Sequence, residues 1–183
     1  MTMNALLRRG FGLAGLLLVA SASTLAAEES TATSQCTGFR FNLDSELKLF
    51  AGTPREIDAA STATAPIAID GATLYRVALV DQSAARFAIP PGKLTVADGS
   101  YAGLLRITPT GSSTLRVNLG EAAWIDVVAG GRELESARHT GSHDCKLLRK
   151  SVEFSVQPGT ELLIQISGST VQEMLLAVTY SAH

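Results

Sequence analysis

The chain is poor in aromatic residues, 5% of its 183 positions with a single tryptophan, and it has no run of Lys and Arg. Lacking both a basic stripe and a set of stacking platforms, it does not suit a nucleic-acid partner. No stretch reaches the roughly 18 uninterrupted apolar residues a transmembrane helix needs, so no membrane span is expected in the mature chain. There are only two cysteines, and they lack the CxxC spacing of a dithiol redox or zinc site. No helical period of ten or more residues separates the β-patterned runs, which removes βαβ units. No Gly-x-Ser-x-Gly elbow precedes a helix, so a hydrolytic triad has no anchor in the sequence. The Gly130-Gly131 pair leads into no helix N-terminus, and so reads as a hairpin turn rather than a phosphate cradle.

What is present begins with a leader. Arg8 and Arg9 make a positive n-region, Phe11 to Ala22 an apolar h-region, and the small residues around Ala26 and Ala27 a cleavage site. Together they predict a removable signal peptide over residues 1–27. Arg8-Arg9-Gly10-Phe11 partly resembles a twin-arginine signal, but Leu7 stands where Ser or Thr is usual, and both Sec and twin-arginine export stay open. Cys36 lies too far from the cleavage region for a lipoprotein anchor. The 15 basic residues less Arg8 and Arg9 leave 13 against 17 acidic ones, a mature net charge of −4. The product is expected in the periplasm or outside the cell.

Residues 28–35 are small, polar and acidic, and predict a flexible N-terminus. Residues 36–183 have the size of one domain. In an oxidising compartment Cys36 and Cys145 are expected to form a disulfide, the alternative being free or metal-binding thiols. Phe39, Phe41 and Leu43 alternate as in a half-buried strand, Asp44 and Ser45 can cap a helical turn over 46–50, and 52–65 reads as an irregular connection. Short β-patterned runs follow at 74–80, 85–89, 101–108, 114–119, 123–128, 151–156, 161–167 and 173–180. Separators such as Pro90-Pro91-Gly92 and Gln157-Pro158-Gly159 suit turns. Period 2 sets Leu115, Val117 and Leu119 against Arg116 and Asn118, and Val152, Phe154 and Val156 against Ser151, Glu153 and Ser155. It likewise sets Leu162, Ile164 and Ile166 against Gln165, and puts Trp124 with Asp126 and Val128; the apolar sets predict the core. Evenly spaced strands of this kind predict an all-β fold, a single antiparallel β-sandwich.

The succession of 101–107, 114–119, 123–128, 145–154 and 162–178 resembles the strand grammar of bacterial pre-peptidase C-terminal domains, and is similar to uncharacterised exported proteins of proteobacteria. The resemblance covers about the last 85 residues and implies a jelly-roll type of sandwich. The family's aspartate-rich strand is absent here, so calcium binding is not carried over, and neither is a protease-targeting role. Fold alone assigns no activity.

The densest chemical cluster is Arg138-His-Thr-Gly-Ser-His-Asp-Cys145, read as an exposed, flexible polar loop. His139, His143 and Asp144 offer imidazole and carboxylate ligands for a divalent metal such as zinc or copper, and the alternative is a plain surface loop. Asp126 and Glu153 are expected on solvated outer faces, with Arg106 and Arg116 as cross-strand partners. Trp124, flanked by Ile125 and Val127, reads first as a core residue; on an open face it would be a ligand contact, stacking on a sugar ring or a partner protein. The expectation is therefore an exported, non-catalytic binding or accessory module for a protein, a glycan or another envelope component. A periplasmic metal-handling protein is the alternative, and a small hydrolase is the least supported.

Overall fold

The computed structural model describes residues 36–93, 99–111 and 114–180. The expected signal peptide and the 28–35 stretch lie outside the described residues. Among the described residues, helix α1 (Asp44–Phe50) precedes twelve strands: β1 (Arg55–Asp58), β2 (Ile67–Ala68), β3 (Leu74–Ala78), β4 (Val80–Asp81), β5 (Tyr101–Ile107), β6 (Thr114–Leu119), β7 (Trp124–Ala129), β8 (Arg132–Glu133), β9 (Ser136–Gly141), β10 (Lys150–Ser155), β11 (Leu162–Ser169) and β12 (Glu173–Tyr180). They form two sheets. The first runs β1-β3-β12-β6-β10-β9 and the second β2-β5-β11-β7-β8, with β4 also paired to β5.

The expected sandwich and disulfide are both present. Leu115, Val117, Leu119, Val152, Phe154, Val156, Leu162, Ile164 and Ile166 share one buried cluster between the sheets, as period 2 requires. The pairing is not purely antiparallel, because β1 runs parallel to β3 and β2 parallel to β5. The β7–β8 hairpin turns through Gly130 and Gly131, at φ 56° and 77°. Positive φ at both central residues is the condition of the tight turn that matches strand twist.

Both outer faces are covered, which the alternation does not reveal. On the first sheet, α1 and the segment before it build a second apolar cluster of Cys36, Leu43, Leu47, Phe50, Leu74, Cys145, Leu148 and Ala177, tied down by the Cys36–Cys145 disulfide. Phe39 and Phe41 pack against this cluster without forming a strand, since the covering chain needs apolar anchors but has no ladder to join. The helix starts at Asp44, whose N–H is bonded by Asn42 Oδ1 at 2.9 Å, so Asn42 rather than Asp44 or Ser45 serves its first turn.

Residues 82–93 cover the second sheet. Its buried Gln165 accepts the Ala88 N–H through Oε1 at 2.7 Å and donates from Nε2 to the Ile89 carbonyl at 3.2 Å. One side-chain amide thus replaces the ladder that the expected 85–89 strand would have made. The connection expected over 52–65 contains β1.

Candidate binding groove

The region expected to be a flexible loop around His139 is edge strand β9 up to Gly141. His139 sits opposite Val152, Arg138 opposite Glu153 and Gly141 opposite Lys150. A Cβ at Gly141 would stand 2.9 Å from the Arg149 carbonyl oxygen, so the backbones approach closely here. Ladder pairing overrides the looseness that Gly141 and Ser142 suggest.

Glu153 is buried, not solvated: Arg116 Nε donates to its Oε1 at 2.6 Å, and the Arg138 guanidinium holds its other oxygen. Arg116 continues through Nη1 to Glu46 Oε1 at 3.0 Å, and Glu46 also accepts the Thr179 hydroxyl at 2.8 Å. Burial pushes the Glu153 carboxyl up, but hydrogen bonds and charge from Arg138 and Arg116 outweigh it and hold the group below the usual carboxylate range. Arg106 pairs instead with Glu161 on the surface, at 3.1 Å. Asp126 is also buried, and is engaged by Trp124 Nε1 at 2.7 Å and the Gly92 N–H at 3.2 Å.

Trp124 is not in the core. It is 37% exposed, at the first position of β7. Its indole N–H is fixed by Asp126, two residues on and on the same face as period 2 predicts. Gly92 closes over this pair; a Cβ there would come within 2.9 Å of Asp126 Oδ1 and 3.0 Å of Trp124 Nε1. Lys93 follows directly. Lys150 Nζ stands 5.1 Å from the centroid of the Trp124 ring and donates to the Ala123 carbonyl at 3.1 Å.

Around these residues lies a groove of ≈ 390 Å³, with Trp124 and Ser167 on the second sheet, His139 and Lys150 on the first, and Arg149 just before β10. Lys93 is its third cationic lining residue, and among the described residues lining it none is acidic. Burial, with repulsion from Lys93 and Arg149, lowers the Lys150 pKa against a smaller upward pull from Asp126. Arg149 Nη1 donates to the Ser142 carbonyl at 3.2 Å, and its Nη2 lies 3.0 Å from Nδ1 of His143. Ser167 is placed opposite Trp124 across the β7–β11 ladder, and its hydroxyl is buried without a hydrogen-bond partner among the described residues.

The three residues singled out for a metal are thus placed apart in role: His139 lines the groove, His143 lies against Arg149, and the Asp144 N–H donates to Ser142 Oγ at 3.3 Å. Among the described residues no group of three or more His, Cys, Asp or Glu is gathered in a way that would hold a metal ion. No helix among the described residues is long and apolar enough to cross a membrane. The sequence reading named Trp124 and His139 but missed Lys93, Arg149, Lys150 and Ser167. A Lys-Arg pair beside a strand and a lysine after a proline turn look like ordinary surface until the fold brings them to one groove. Compared with protein-family models, with curated proteins and with solved structures, the chain matches none.

Proposed function

We propose that this chain is an exported, non-catalytic binding or accessory module whose ligand, a protein, a glycan or another envelope component, seats in the groove at Trp124. The observation that carries this reading is the exposed indole, locked by Asp126 and Gly92 in a preformed concavity. Large aromatics held rigid at an open surface give contact area at small entropic cost. The volume falls in the usual range for small-ligand sites. The disulfide supports an oxidising compartment, in keeping with the signal peptide read in the sequence.

A jelly-roll reading of the sandwich also belongs here. Counting β3, β5, β6, β7, β8 with β9, β10, β11 and β12 as eight strands, the first sheet holds the first, eighth, third and sixth, and the second holds the second, seventh and fourth. This alternation across two sheets supports a jelly-roll connectivity, with the fifth strand divided between the two sheets as β8 and β9.

The test is calorimetric titration of the oxidised protein, and of Trp124→Ala, with isolated envelope glycans and peptides. Saturable binding that Trp124→Ala weakens at least tenfold, with the ligand recovered unchanged, is the expected result. Conversion of the ligand by pure protein, or binding indifferent to Trp124, would overturn the reading.

A further inference from the structure

Within that proposed binding role, we infer that the groove takes an acidic glycan, a sugar ring carrying a carboxylate, with the ring against Trp124 and the carboxylate among Lys93, Arg149 and Lys150. The whole chain carries 17 acidic residues against 15 basic ones, so a groove whose charged lining among the described residues is basic departs from the protein's own average. Lys150 uses one of its three donors on the Ala123 carbonyl, which leaves two for a ligand. Its ammonium is repelled by Lys93 and Arg149 and only partly offset by Asp126, a balance that a bound anion improves. Arg149, held in place by the Ser142 carbonyl and His143, adds a fixed positive charge.

Charge alone would suit any anion. Two further features favour a sugar. The first is the indole beside the cations, since an aromatic ring packs well against the apolar C–H face of a pyranose. The second is Ser167, a buried residue lining the groove whose hydroxyl has no hydrogen-bond partner among the described residues. A buried hydroxyl without a partner costs free energy unless something supplies one, and a sugar hydroxyl both donates and accepts. A groove of ≈ 390 Å³ has room for one or two rings.

The experiment compares hexuronate oligomers with the corresponding neutral hexose oligomers, and with acetate, inorganic phosphate and an acidic peptide, by calorimetry on the oxidised protein. Two variants accompany it: the Lys150→Met/Arg149→Gln pair, and Lys93→Ala, an exposed position whose change leaves the sheets intact. The expected result is that uronate oligomers bind, neutral oligomers bind at least tenfold more weakly, and both variants lower uronate affinity, with added salt doing the same. Neutral oligomers binding as well as uronates would overturn the acidic class and leave the glycan module standing. Phosphate or acetate matching the uronates would overturn the sugar. Binding of the acidic peptide alone would overturn the glycan and keep a binding module. If none of these ligands binds, the inference falls.

Discussion

Arg116 Nε donates to Glu153 Oε1 at 2.6 Å across the β6–β10 ladder, Glu153 buried and Arg116 largely covered by the segment that leads into α1. The guanidinium is held from four directions: by Glu153, by Glu46, by the Asn42 carbonyl at 3.3 Å, and by the Phe41 ring at 5.0 Å. Removing one partner of a buried pair leaves the other charge uncompensated, typically at about 3–5 kcal/mol. Arg116→Ala leaves buried Glu46 without its cation and Glu153 with Arg138 alone, and is expected to lose about that much in urea unfolding. Arg106→Ala, whose pairing with Glu161 is exposed, is expected to lose less than about 1 kcal/mol.

The same network gives a pH dependence. The folded-state pKa of Glu153 lies below its ordinary value. Its contribution is therefore fully present above the ordinary carboxylate range, and is lost as pH falls through the depressed folded value. The stability gap between wild type and Glu153→Gln should be wide at pH 7 and close on acidification below about pH 4. Glu133 has the opposite sign: burial, then repulsion and a hydrogen bond from Asp126, raise its pKa. Its charged form opposes folding, so Glu133→Gln should be neutral or slightly stabilising at pH 7. Denaturant midpoints measured from pH 3 to 8 check both.

Cys36 and Cys145 close a loop across 109 positions of sequence. In the chain-entropy description a loop of this length is worth about 4 to 5 kcal/mol before any native strain. The Cys36→Ser/Cys145→Ser variant should lose about 2–5 kcal/mol. Because the bond anchors the cluster under α1 rather than the core between the sheets, hydrogen exchange should rise first in residues 36–50 and last in β6, β11 and β12.

Gly103 lies in β5 where a Cβ would stand 2.5 Å from Ala59 Cβ and 2.8 Å from Leu79 Cδ2. Leu79 can rotate its side chain, but the Ala59 Cβ moves only with its backbone, so Gly103→Ala is expected to destabilise by about 1–3 kcal/mol. Thermal unfolding of that variant beside Gly111→Ala, where the added Cβ would meet open space, separates crowding from a general effect of losing glycine.

Where an apolar set alternates strictly, the sequence was enough: β6, β10, β11 and β12 fall where period 2 puts them, and their inward residues are the core. What alternation hides is whether the polar face is wet. Arg116, Asn118, Glu153 and Gln165 occupy polar positions of regular strands, yet each is covered by distant chain, α1 or residues 82–93. Strand β9 escaped because Ser-Ala-Arg-His-Thr-Gly has no apolar alternation; its order comes from pairing with β10. The groove was half legible. Trp124 and His139 stand out as rare residues, whereas the cations and Ser167 acquire meaning only when β7, β10 and β11 meet.

Trp124 is the only tryptophan in the chain, so its emission reports on the groove and on nothing else. The decisive measurement is fluorescence of the oxidised protein titrated with hexuronate oligomers beside their neutral counterparts. The account predicts a saturable emission change with the uronates that the Lys150→Met/Arg149→Gln pair weakens at least tenfold. A glycan that binds by calorimetry while Trp124 emission stays constant, with equal affinity in that pair, would place recognition elsewhere on the sandwich and contradict it.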